Sequence, residues 1–222
     1  MDFNEQGVSY MREQKFEEAA KAFNAAIEEN PKDPIGFVNF GNLLGVVGEH
    51  EKALIFFDKA IALDAEVATA YYGAGTVYYN LERFEEAAKM FKQALAKKLE
   101  ERDVFFMLGM SYYNLGSVPH ALANFQRAVE LDENDVEARF QFGLCLAQLE
   151  KIDESIIQFK QVLKLDPDHA DAFFNLGVAY AYKEKGEQAR DCFDRALAIQ
   201  PDHVLAANGK KTIEAALSFE EE

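Results

Sequence analysis

The stretch YYGAGTVYYNLERFEEAAKMFKQAL, Tyr71 to Leu95, carries two apolar stripes on either side of a short polar turn. Tyr71, Ala74, Gly75 and Tyr78 recur at i, i+3, i+4 and i+7, and Phe84, Ala87, Ala88, Phe91, Ala94 and Leu95 make a second stripe after the turn. Such spacing collects each set on one face of a helix. The stretch therefore reads as two antiparallel helices joined by a tight turn. Outward from it, the pattern recurs with a fixed step of 34 residues. Glycine stands at Gly7, Gly41, Gly75, Gly109, Gly143 and Gly177, and phenylalanine at Phe23, Phe57, Phe91, Phe125, Phe159 and Phe193. Ala19, Ala53, Ala87, Ala121, Ser155 and Ala189 form a column of small residues at the same step. A glycine inside a helix costs roughly 1 kcal/mol against alanine. Glycine held at one register six times implies a close approach, with the large aromatics filling the space beside it. A self-similar period of this length predicts stacked supersecondary units rather than a globule.

The columns aromatic–x–x–Leu/Ala–Gly–x–x–Tyr and Ala–x–x–x–Phe–x–x–Ala resemble the tetratricopeptide repeat (TPR). FFNLGVAYAYKEKGEQARDCFDRALAIQPD, Phe173 to Asp202, follows that pattern almost throughout. The resemblance covers the whole chain and implies an all-α, right-handed TPR superhelical solenoid of antiparallel helix hairpins. The expected repeats are 1–33, 34–67, 68–101, 102–135, 136–169 and 170–203, in one continuous domain. Beyond them the glycine column becomes Lys211 and the tyrosine column Glu214, while Ala206, Ile213 and Leu217 keep helical spacing. Residues 204–222 are therefore expected to be a capping helix, 204–218, with an acidic tail. Proline marks the turn after repeats one, five and six (Pro31, Pro167, Pro201) but is replaced by Ala65, Leu99 and Glu133 elsewhere. In LAKKLEERD a longer helix or an altered inter-repeat angle is expected. Pro119 falls in the first turn of a helix, where a missing N–H is harmless.

In TPR proteins the first helices of successive units line a concave groove. By resemblance, the face beside the buried stripe is that lining. It carries Asn42, Tyr72, Thr76, Tyr79, Phe106, Met110, Tyr113, Phe140 and Phe174, with amides along its edges at Asn39, Asn80, Asn114, Gln141, Gln148 and Asn175. Of the four tyrosines in Tyr71–Asn80, Tyr71 and Tyr78 belong to the buried stripe and Tyr72 and Tyr79 to this face. Amides donate to and accept from a peptide backbone, and aromatics and methionines provide apolar pockets. The expected partner is a protein or extended peptide with apolar or aromatic side chains. A helix spacing of roughly 10 Å and about 3.3 Å per extended residue give about three ligand residues per repeat. Self-association, with another copy in the groove, is the alternative. Chaperone-binding members of the family grip a carboxylate with basic residues. The corresponding positions here hold Asn4, Thr69, Gly73, Asp103, Met107, Glu137 and Gln141, so that clamp is not matched.

With 23 basic and 39 acidic residues the formal net charge is −16, which repels phosphate backbones and argues against a nucleic-acid partner. No apolar run is long enough for a membrane span. MDFNEQGVSYMREQ lacks the basic and apolar regions of a secretory leader, so a cytoplasmic location is expected. Cys145 and Cys192 sit in helical apolar patterns as small core residues, in keeping with a reducing compartment. His169 and His203 occupy matching PDH turns one repeat apart and are expected to serve the turn rather than a metal. No catalytic constellation, metal site or cofactor is expected.

Overall fold

A computed structural model describes residues 2–220. Among the described residues it contains thirteen helices and no strand. They are α1 (Phe3–Arg12), α2 (Phe16–Glu29), α3 (Pro34–Val46), α4 (His50–Leu63), α5 (Ala68–Asn80), α6 (Phe84–Ala96), α7 (Arg102–Asn114), α8 (Val118–Leu131), α9 (Val136–Gln148), α10 (Ile152–Leu165), α11 (Ala170–Tyr182), α12 (Gly186–Ile199) and α13 (Val204–Glu220). The contacts divide the chain into two compact units, one up to Gly116 and one from Ser117.

In the first unit α1 pairs with α2, α3 with α4 and α5 with α6, and each hairpin packs on the next through α2 on α3, α4 on α5 and α6 on α7. The odd-numbered helices also touch in series, α1 on α3, α3 on α5 and α5 on α7. The second unit pairs α9 with α10 and α11 with α12. There α8 packs on α9, α10 on α11, and α13 closes against α12 and α11. Helix α13 continues past the expected end at residue 218. Positions 221 and 222 of the expected acidic tail lie outside the described residues.

The glycine and phenylalanine columns prove to be one device. A Cβ at Gly41 would stand 2.8 Å from Phe57 Cε1, at Gly75 2.7 Å from Phe91, at Gly143 2.8 Å from Phe159 and at Gly177 2.7 Å from Phe193. Each glycine admits the aromatic ring of its own hairpin partner, closer than any side chain would allow. The phenylalanines are the largest fully buried side chains of the chain. Burying each such ring is worth about 1.5–3 kcal/mol.

Turn chemistry follows the repeat as well. The loop inside each hairpin passes through a left-handed residue at Gln14, Gly48, Glu82, Gly116, Glu150 and Glu184. The next N–H then reaches back to the helix, as Arg83 N does to Tyr78 O at 2.9 Å and Lys185 N to Tyr180 O at 2.9 Å, closing the orphan carbonyls of the helix end. At the junction LAKKLEERD the longer helix, one of the two expected alternatives, is not seen. Helix α6 is not lengthened but ends at Ala96, where Lys98 adopts φ 66° and Leu99 N bonds Ala94 O at 3.1 Å. Lacking an Asp or Pro to start an extended turn, this junction borrows the left-handed stop of the hairpin loops. Pro119 sits in the first turn of α8, as its missing donor requires.

Candidate functional site

The odd-numbered helices position the predicted face, and their N-caps set its start. Asp33 Oδ1 accepts from Ile35 N at 3.0 Å, and Asp135 Oδ1 from Ala138 N at 3.0 Å. His169 and His203 fill the same register with imidazole: Nδ1 accepts from Ala172 N and from Ala206 N, each at 3.2 Å. That bond leaves the neutral ring's proton on Nε2, and in His203 it faces Asp171 Oδ1 at 3.2 Å. The expected structural role of the two PDH turns is thus met by helix capping.

Most of the predicted side chains spend their contacts within the chain. Tyr72 packs on Phe91, with ring centroids 5.7 Å apart, and Tyr79 on Phe84 at 5.4 Å. Tyr71 and Tyr78 are no more deeply buried than these, since Tyr71 donates to Ala65 O at 3.3 Å and Tyr78 carries the Arg83 guanidinium over its ring. The division into two buried and two outward tyrosines is therefore not seen; all four are half-buried. Phe106, Met110 and Tyr113 are half-buried too, and the Arg102 guanidinium lies 5.6 Å from the Phe106 ring. Phe140 is core, 9% exposed, between Phe159 at 5.9 Å and His169 at 4.7 Å. Phe174 is half-buried on Phe193 and His203.

The amides divide sharply. Asn39 donates to Asn4 Oδ1 at 3.0 Å, Gln141 to Glu137 Oε1 at 2.8 Å and Asn175 to Asp171 O at 2.8 Å. Asn114 donates to Met110 O at 2.9 Å and Tyr79 Oη at 3.2 Å. Gln148 is exposed. Asn42 and Asn80 are exposed and have no hydrogen-bonding partner among the described residues.

These two amides flank a cavity of about 430 Å³ between α3 and α5, within the roughly 300–1,000 Å³ range of ligand clefts. Phe57, Gly45, Gly73, Tyr72 and Thr76 are among the residues that line it. None of its lining residues is charged. Thr76 Oγ1 donates to the Tyr72 carbonyl at 3.1 Å. Burial, then the nearby Asp103 carboxylate, pushes the Tyr72 phenol up from its ordinary value, so it stays neutral. Sequence reasoning missed this cavity, although a signal exists. At the register where Tyr72, Phe106, Phe140 and Phe174 stand, repeat two has Val38. Gly45 replaces the Tyr79 and Tyr113 of the next repeats, and Gly73 replaces Met107. Two of these reductions in size, Gly45 and Gly73, line the cavity.

Among the described residues no group of His, Cys, Asp and Glu could hold a metal ion. No described helix is long and apolar enough to cross a membrane. Cys145 and Cys192 are unpaired and buried. Burial pushes the Cys145 thiol up to about 12, and burial with the Asp191 charge pushes Cys192 to about 11.

Hairpins of one glycine-bearing and one phenylalanine-bearing helix, stacked at a constant period, define a class of helical-repeat interaction proteins. Models of the tetratricopeptide repeat match residues 38–102, 72–136 and 106–160, and related TPR models match 2–33, 143–183 and 170–203. The chain belongs to the tetratricopeptide-repeat family, whose members are in general non-catalytic modules that bind proteins or peptides. One particular protein it is similar to is YrrB of Bacillus subtilis (strain 168), a TPR repeat-containing protein. The curated sequence match is 54% identical over 41 residues, 18% of this chain and 20% of that protein's length. The solved structure of YrrB, described as a TPR protein with an unusual peptide-binding site, is 54% identical and covers 86% of this chain and 99% of that one, with a TM-score of 0.83. Pseudomonas aeruginosa PilF shares the fold at 17% identity, covering 96% of each chain with a TM-score of 0.80. MamA does so at 18%, covering 76% of this chain and 92% of that one, with a TM-score of 0.70.

Proposed function

We propose that this chain is a non-catalytic adaptor that holds an extended segment of a partner protein against the exposed face of its odd-numbered helices. The observation that carries the reading is the uncharged cavity on α3 and α5, flanked by amides with no hydrogen-bonding partner among the described residues. Family membership and the peptide-binding site ascribed to YrrB support it. Binding of this kind needs no chemistry. A preformed surface confines the ordering cost to the peptide, and amides serve a backbone whatever its sequence. A cytoplasmic setting fits two buried, unpaired cysteines.

The test is selection of peptides of about twelve residues from a displayed random library on the full chain, followed by amide NMR of the chain with the enriched peptides. Shifts confined to α3, α5 and neighbouring odd-numbered helices are expected. Shifts on the even-numbered helices, or no enrichment at all, would overturn the reading. Light scattering on the free chain separates the alternative: a mass that grows with concentration, and a groove that peptides cannot enter, would indicate self-association.

A further inference from the structure

The cavity between α3 and α5 says more than that a peptide binds there. Two of its glycines differ in what the fold asks of them. A Cβ at Gly73 would stand 2.4 Å from Phe57 Cε1 and 3.0 Å from Asn42 Oδ1, so packing forbids a side chain there. A Cβ at Gly45 would meet only Val77 Cγ2, at an ordinary 3.4 Å. Gly45 lies in the last turn of α3, ahead of Gly48, which already supplies the left-handed stop. Packing does not require Gly45, and helix propensity argues against it. What the missing side chain does is keep the cavity open.

The lining then specifies an occupant. In a chain of net charge −16, a cavity with no charged lining residue disfavours a charged guest on desolvation grounds. Among the lining residues Phe57 and Val77 are buried and offer dispersion contacts, whereas Asn42 and Asn80, with their free donors and acceptors, are exposed. That order, apolar inside and amide outside, matches an amino-acid residue inserted side chain first with its peptide groups left at the rim. Resting on the proposed peptide-binding reading, we propose that this cavity is an anchor subsite. It takes one bulky uncharged residue (phenylalanine, leucine or methionine) of the extended partner, and Asn42 and Asn80 bond the peptide groups on either side of it.

The probe is N-acetyl-phenylalanine N-methylamide, titrated into the isotope-labelled full chain, with the leucine, lysine and aspartate counterparts in parallel. Saturable shifts at the Gly45, Gly73 and Thr76 amides are expected for phenylalanine and leucine, and binding about tenfold weaker or worse for lysine and aspartate. Gly45→Leu fills the cavity and is expected to abolish those shifts, while Gly45→Ala, which the geometry tolerates, weakens binding and keeps the helix intact. Absence of saturable shifts, equal binding of the lysine probe, or unchanged binding to Gly45→Leu would each overturn the subsite. Failure here is distinguishable from failure of the adaptor reading. Selected peptides that bind the odd-numbered helices equally well in Gly45→Leu remove the subsite and leave the adaptor. Capped phenylalanine seated at Gly45 with no peptide bound anywhere removes the adaptor and keeps a site for a single apolar residue.

Discussion

Two places in the molecule share a register and differ in outcome. Between α3 and α5, Val38 stands at the covering register, Val67 precedes the next helix, and Gly73 lies so close against the Phe57 ring that no side chain fits there. Between α9 and α11, one unit later, the same positions hold Phe140, His169 and Asn175. There Phe140 stacks on Phe159 and is itself covered by His169, and Asn175 turns its amide back to Asp171 O. The backbone plan is common to both, and so is the buried phenylalanine. What changes is whether the side chains on top complete the packing or stop short of it. The repeat thus separates two tasks: the glycine–phenylalanine lock holds each hairpin, and a second layer of residues decides whether the surface above is closed or receptive.

The largest effects bear on the lock. Phe159→Ala and Phe57→Ala are each expected to cost about 3–5 kcal/mol. Phe159, covered on its outer side by Phe140, belongs at the upper end of that range, and Phe57, bordering a cavity, at the lower. Urea unfolding of the two variants ranks them, and a larger loss for Phe57 would break the comparison. Next comes the covering layer. Phe140→Val copies the first unit's arrangement into the second and is expected to cost about 2 kcal/mol. In exchange, the amides of α9 and α11 become responsive to capped phenylalanine in an NMR titration, whereas unchanged spectra would show that more than one ring closes that surface.

The two cavity glycines should move stability in opposite directions. Gly73→Ala is expected to destabilise by about 1–3 kcal/mol through overpacking against Phe57. Gly45→Ala should stabilise by about 0.5–1 kcal/mol through helix propensity. Thermal melts of both settle the signs. The smallest effect tests how closed the second unit is. With their thiols held near 12 and 11, against an ordinary value of 9.0, Cys145 and Cys192 should resist thiol reagents at neutral pH unless the chain unfolds. The sign follows from linkage. The folded state holds these protons more tightly, so their contribution is intact below pH 9.0 and is lost as pH rises toward 11 and 12. Rapid labelling of the native chain at neutral pH would contradict a closed interior.

How much of this was legible in the residues depended on whether a position answers to its own hairpin. Gly75 and Phe91 meet inside one repeat, so their period alone announces the contact. Pro119 and the PDH turns were legible for the same reason, since a cap is a local event. Tyr72 and Phe140 were harder. Their register places them on the face of the odd-numbered helices, but burial there also depends on the following repeat, which sets His169 against Phe140 and brings Asp103 near Tyr72. The amides were harder still. Asn42 and Asn175 are both asparagines of odd-numbered helices, yet of the two only Asn175 donates to a carbonyl, Asp171 O. The cavity is the least legible feature, because its signal is small residues, Gly45 and Gly73, in two different columns that hold larger side chains in other repeats.

The glycine–phenylalanine lock has a kinetic consequence. In every hairpin where it is observed, the partners lie sixteen residues apart, as Gly75 and Phe91 do. A close contact of the core is therefore made over a short loop, with little closure entropy and no need for distant segments to find one another. Chains dominated by such local contacts fold fast, and in repeat arrays folding can begin at any unit and spread to its neighbours. Each hairpin carries its own nucleus. A hairpin weakened at its lock should delay the spread through its neighbours rather than prevent it from starting elsewhere.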